Sequence, residues 1–184
     1  MSESEALCFS AVGLPLILVD TGGTFNKRYE PLDGQLIVTS GSSAMRSILA
    51  SAEMNLDVTW LQPVCKDSLE MTDADRDAIV AALRPEMTRQ PEAPVVIIHG
   101  TDTMHQTGEV LATALPGRCI VLTGSMRPYE TDPVEPAFNL GLALGFVQAA
   151  PAPGVYLAMS GLVRPLGRLV KDRAAGNFRA VASQ

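Results

Sequence analysis

Residues 94 to 104 read PVVIIHGTDTM. Val95, Val96, Ile97 and Ile98 form an unbroken apolar run, too short for a helix and ended by Gly100, so the stretch predicts a strand buried on both faces. Strands covered on both sides belong to parallel sheets layered between helices. The pattern after it, TMHQTGEVLATAL (103–115), is helical, and Thr101 and Asp102 therefore stand where a buried strand gives way to a helix.

The same alternation extends in both directions. Upstream, PLILVD (15–20) reads as a buried first strand, QLIVT (35–39) as a short strand after a turn at Leu32-Asp33-Gly34, and SAMRSILASAEM (43–54) as a helix with Met45, Ile48 and Leu49 on one face. LDVTWLQPV (56–64) is a strand, and Thr72 precedes the helix DADRDAIVAAL (73–83), whose acidic start suits the positive end of the helix dipole. Downstream come the strand RCIVLTG (118–124), the loop SMRPYETDPVEP (125–136), the helix AFNLGLALGFVQAA (137–150), the strand GVYLAMSGLV (154–163) and a polar, arginine-bearing end. The expectation is an α/β fold of three layers, with a largely parallel sheet between helices, in one domain spanning 1–184.

Composition narrows the function classes. The net charge of −6 argues against general nucleic-acid binding, which needs a positive surface. One basic stretch departs from it: Arg164, Arg168, Lys171, Arg173 and Arg179 against Asp172 alone, which reads most simply as a solvated face or a subunit contact. No apolar run approaches the roughly 20 residues that span a bilayer, and Glu3 and Glu5 stand where a secretory signal carries basic residues, so a cytoplasmic protein is expected. Cys8, Cys65 and Cys119 form no C-x-x-C pair and, with His99 and His105, no metal-ligand cluster, so reduced thiols and neither metal nor cofactor are expected.

Polar side chains gather just past the carboxyl ends of the apolar runs: Thr21 and Thr24, then Asp67, Ser68 and Glu70, then Thr101 and Asp102, then Ser125 and Arg127. In an open parallel sheet those ends share one rim, where ligands bind. No phosphate-binding glycine fingerprint and no G-x-S-x-G elbow accounts for them. A rim of hydroxyls and carboxylates fits covalent acyl chemistry by a hydroxyl, although composition alone favours a non-catalytic binding site.

TGGT (21–24) and HGTDTM (99–104), each after a buried strand and in that order, resemble the two signatures of bacterial-type, threonine-dependent L-asparaginases. KDSLEM (66–71) is similar to that family's serine-bearing substrate loop, and VLTGSMRP (121–128) with FNL (138–140) to its next strand and helix. The resemblance covers about residues 15 to 178 and corresponds to the family's N-terminal domain, with the usual smaller C-terminal domain missing, so a short form or a fragment is expected.

The resemblance implies hydrolysis of the side-chain amide of asparagine, or of a related small amide, through a threonine acyl-enzyme in a homo-oligomer. It implies that Thr24 is the nucleophile, with Tyr29 assisting, and that Thr101, Lys171 and Asp102 form an activating chain. Ser68 is expected to take the substrate's α-carboxylate and Asp102 its α-ammonium. Leu69 stands where many relatives carry a polar residue, which leaves Glu70 as a substitute. Gly22, Gly23, Gly100 and Gly124 are expected to bring N–H groups to the reacting carbonyl, with Ser125 beside them on the rim. Arg127, His99 and His105 read as structural. A non-catalytic amino-acid-binding or regulatory module, and an unrelated nucleotide-binding α/β protein, remain the alternatives.

Overall fold

The computed structural model describes residues 13–181, so Cys8, Glu3 and Glu5 lie outside the described residues. Its centre is a six-stranded sheet. Five strands are parallel: β1 (Leu14–Asp20), β4 (Leu56–Leu61), β5 (Val95–Ile98), β6 (Cys119–Thr123) and β7 (Gly154–Met159). The sixth, β8 (Leu162–Pro165), runs antiparallel to β7 at one edge, and the spatial order is β4-β1-β5-β6-β7-β8.

Alternating side chains of the sheet feed two cores. Ile17, Val19, Val95, Ile97, Ile120 and Leu122 point to the layer formed by α2 (Asp73–Arg89) and α3 (Met104–Ala114). Leu16, Leu18, Val96, Ile98 and Val121 point to the layer of α1 (Ser43–Ser51) and α4 (Val134–Gln148). Both faces are therefore covered, the condition under which a parallel sheet of continuous apolar strands is stable.

The chain leaves β1 toward β4 on one side and leaves β5 toward β6 on the other. Connections that diverge in this way open a crevice between the carboxyl ends of two neighbouring strands. Here those strands are β1 and β5, and the loops that flank the crevice are DTGGT and HGTDT.

Four details go beyond the expected order of elements or change it. The expected QLIVT strand is present as β3 (Gln35–Val38), and it pairs with β2 (Lys27–Glu30) as a separate hairpin outside the main sheet. GVYLAMSGLV is not one strand but the β7–β8 hairpin, turned at Ser160 (φ 53) and Gly161 (φ 78), a pair of positive φ angles that suits a two-residue reversal. The polar end folds as a second hairpin, β9 (Leu169–Asp172) with β10 (Asn177–Ala180). Finally, α2 continues through Pro85 to Arg89, because Leu83 and Met87 on either side of the proline are both buried and their packing outweighs the missing N–H.

Candidate active site

Asp20, the last residue of β1, is fully buried, and its carboxylate organises the loop that follows. Oδ1 accepts from the Gly22 N–H at 2.9 Å and from Asn26 Nδ2 at 2.6 Å. Oδ2 accepts from Ser42 Oγ at 2.8 Å and from Gln62 Nε2 at 2.9 Å. Burial pushes the carboxyl above its usual range while these four donors oppose the rise. The result is a fixed arc from Thr21 to Asn26.

Within that arc the glycines are required by contact as well as by conformation. Gly23 has φ 80, and a Cβ there would sit 2.5 Å from the Cα of Gly100; a Cβ on Gly100 would in turn sit 2.5 Å from Cβ and Oγ of Ser68. The loops after β1, β5 and β4 thus meet backbone to backbone. The Gly23 N–H donates to the Lys66 carbonyl at 2.9 Å and the Lys66 N–H to the Thr21 carbonyl at 3.2 Å, which adds a ladder between two of the loops. Thr24 follows directly, half-buried, and its hydroxyl makes no hydrogen bond among the described residues.

On the other side of Gly100, Lys171 of β9 donates from Nζ to Thr101 Oγ1 at 2.7 Å and to Asp102 Oδ1 at 3.0 Å. The Asp102 N–H donates to Ser68 Oγ at 3.3 Å and the Thr103 hydroxyl to the Ser68 carbonyl at 2.8 Å. An ion pair of 2.6 Å between Lys27 and Asp67 ties the β2 end of the first loop to the serine loop. Burial pushes the Asp67 carboxyl up, but the hydrogen bond from Lys27, with help from the Leu69 N–H, overcomes it and holds the group below the usual carboxylate range.

Beside the lysine lies a cavity of about 520 Å³ with Met104, Leu169 and Phe178 in its wall and Thr101, Asp102, Lys171 and Arg173 at its polar end. Thr24 and Ser68 do not line it. The geometry can hold a small polar ligand among hydroxyls and charges at the crevice. Among the described residues, no group of three or more His, Cys, Asp or Glu is arranged to hold a metal ion, and no helix is long and apolar enough to cross a membrane.

The structure brings together Gly23, Gly100, Ser68, Thr101, Asp102 and Lys171, and Thr24 follows Gly23 directly in the chain. Three expected site residues stand apart from it. Tyr29 is 57% exposed on the hairpin, its hydroxyl lying over Gly34 at the hairpin turn. Glu70 is exposed and lines a second depression with Cys65, Lys66 and Ile37. Ser125 is buried and spends its hydroxyl on the Arg127 carbonyl, 2.6 Å away.

Arg127 does support its loop, pairing with Asp132 and Glu135. His99 is a structural residue: Nδ1 lies 2.8 Å from the Gly100 carbonyl and Nε2 2.8 Å from the Thr107 hydroxyl. Burial lowers its pKa to about 4, so the ring is neutral at pH 7. His105 is exposed and forms part of the cavity wall.

Sequence reading overlooked the Asp20 clamp, the Lys27–Asp67 tie and Arg173, whose guanidinium forms an ion pair with Asp102 at 2.7 Å. The acid at the end of an apolar strand was a visible signal for Asp20, since a charge there must be paired or hydrogen-bonded. Nothing local distinguished Arg173 from its basic neighbours.

A family model described as "Asparaginase, N-terminal" matches residues 15–184. Curated relatives include a glutamyl-tRNA(Gln) amidotransferase component from Pyrobaculum aerophilum, 28% identical over 160 residues that cover 82% of this chain and 37% of that protein. A probable L-asparaginase from Deinococcus radiodurans is 34% identical over 116 residues, 62% of this chain and 34% of its own length. Among solved structures, the thermostable L-asparaginase from Thermococcus kodakarensis matches with a TM-score of 0.77 at 26% identity, over 93% of this chain and 52% of that one. The fold is shared with a probable cytoplasmic L-asparaginase from Campylobacter jejuni, at a TM-score of 0.74 and 23% identity over 91% and 53% of the two chains. The chain thus spans about a third of the curated relatives it matches and about half of the solved ones. With the parallel sheet, the TGGT and HGTDTM loops at its crevice and a family match over nearly its whole length, this chain belongs to the asparaginase family.

Proposed function

We propose that the protein hydrolyses the side-chain amide of asparagine, or of a related small amide, to the carboxylic acid and ammonia. Thr24 Oγ1 attacks the amide carbonyl, ammonia leaves with the proton delivered to it, and water then releases the acid from the threonine ester. N–H groups of the glycine-bearing loops face the developing oxyanion. Thr101, Lys171 and Asp102 pass a proton, and Ser68 holds the substrate through its hydroxyl.

The observation that carries this reading is the contact of Lys171 with both Thr101 and Asp102 at the crevice where Gly23 meets Gly100. A lysine bonded to a hydroxyl and a carboxylate is a proton-transfer arrangement, whereas a helix start alone would need only a capping oxygen. The similarity to proteins named L-asparaginase supports it.

A second reading, a non-catalytic module that binds an amino acid or amide, is favoured by the Thr24 hydroxyl, which has no hydrogen-bonded base among the described residues. A third, favoured by the match to amidotransferase components, is amide hydrolysis as one part of a larger assembly. In the first reading the protein works as a homo-oligomer, which sedimentation velocity tests.

The deciding experiment is ammonia release from L-asparagine, D-asparagine and L-glutamine by wild type, Thr24→Ala and Thr101→Ala. Turnover that falls in both variants supports hydrolysis; calorimetric binding with no ammonia from any form supports the binding module.

A further inference from the structure

The loop that carries Ser68 is acidic. Asp67 precedes the serine directly, and Glu70 lies exposed two residues beyond it. Asp67 is fixed in place: Oδ1 accepts from the Leu69 N–H at 3.0 Å, which caps the short helical turn of 68–70. Its other oxygen, Oδ2, meets Lys27 Nζ at 2.6 Å. The two side chains are 23% and 25% exposed, so salt and water screen the pair only in part.

The neighbouring cations are engaged elsewhere. Lys66 pairs with Asp75, and Lys171 and Arg173 pair with Asp102, so among the described residues Lys27 is the cation paired with Asp67. Lys27 belongs to a different loop of the crevice. It begins β2 directly after the Thr24–Asn26 turn, and its N–H donates to the Thr24 carbonyl. The loop of Thr24 thus delivers a positive charge to the acid beside the serine.

A ligand carboxylate that takes the Ser68 hydroxyl must approach Asp67 and Glu70. Like charges repel at that range, and the repulsion falls when one of them is neutralised by a partner. We propose that Lys27 is a specificity-determining residue: by neutralising Asp67 it lets the serine loop accept amides that carry a carboxylate. The inference rests on the amide-hydrolysis reading, in which Ser68 holds the substrate, and adds the residue that makes an acidic loop receive an anion.

The test measures KM for L-asparagine, by ammonia release, in wild type, Lys27→Met, Asp67→Asn and the double variant. The control is 3-aminopropanamide, which is asparagine without its carboxylate. Lys27→Met is expected to raise KM for asparagine about fivefold, the upper range for one partly exposed charge pair, with kcat little changed. Asp67→Asn keeps the capping oxygen and lowers KM. The double variant has the local charge of wild type and returns KM close to the wild-type value. A tie that only held the two loops together would raise KM in all three variants. For 3-aminopropanamide, KM, or the inhibition constant where it is bound without turnover, stays the same in every form. An unchanged KM for asparagine in Lys27→Met, a double variant as impaired as Lys27→Met, or an equal rise for 3-aminopropanamide overturns the proposal. If no form releases ammonia from asparagine, the hydrolysis reading fails by itself. Calorimetric Kd values for asparagine then decide the point: the same order among the four forms supports the role of Lys27, and equal values refute it.

Discussion

Lys171 Nζ lies 2.7 Å from Thr101 Oγ1, although 70 residues separate them in the chain. The contact is possible because the terminal β9–β10 hairpin folds back over the end of β5, beside the cavity wall. It joins a residue of a short edge hairpin to the loop of the most buried strand, and it gives a direct expectation for catalysis.

Lys171→Met removes the donor to both Thr101 and Asp102 while keeping much of the side chain's apolar length. Loss of a positioned proton-transfer group costs about 10²- to 10⁴-fold in kcat. Steady-state ammonia release, with circular dichroism to verify folding, measures it.

Asp20→Asn tests the clamp beneath the nucleophile loop. An amide cannot accept on both of its heads, so one pair of donors, either Gly22 N–H with Asn26 or Ser42 with Gln62, loses its acceptor. A buried donor left unsatisfied costs about 1–3 kcal/mol. Urea unfolding should show a loss of about that size, and turnover should fall further than the folded fraction does, because the Thr21–Asn26 arc loosens.

Gly100→Ala places a methyl 2.5 Å from the Ser68 side chain, in the seam where three loops touch. Overpacking of this kind costs about 1–3 kcal/mol. The site should suffer more than the core: KM for the amide is expected to rise, since Ser68 must move, while thermal unfolding stays cooperative.

His99 makes stability depend on pH in a defined window. Its folded-state pKa of about 4 lies below the ordinary 6.5, so above pH 6.5 the ring is neutral in both states and contributes no pH dependence. As pH falls from 6.5 toward 4, the unfolded chain takes up a proton that the folded chain refuses, and the folded state loses about 3 kcal/mol. Chemical denaturation across that range should show the loss, and the His99 ring resonances should remain those of a neutral imidazole at pH 5.

The central sheet was legible because Val95–Ile98, Cys119–Thr123 and Leu14–Asp20 are continuous apolar runs followed by glycine or polar turns. Ser160-Gly161 was missed as a hairpin because apolar residues flank it on both sides, so the run reads as one strand unless the turn dipeptide is weighed. In the site, Thr101, Asp102 and Ser68 could be placed from strand ends alone. Arg173 could not, since its partner is 71 positions away and its neighbours Arg168, Lys171 and Arg179 look alike in sequence. Tyr29 is close to Thr24 along the chain, but the β2–β3 hairpin that sets its position, with the side chain 57% exposed, could not be read from that spacing.

The most direct measurement is the rate of ammonia release from L-asparagine, D-asparagine and L-glutamine by Thr24→Ala beside wild type, both folded by circular dichroism. A fall of about a thousandfold or more is predicted, because no other group replaces an attacking hydroxyl. Turnover by Thr24→Ala equal to that of wild type would contradict the account.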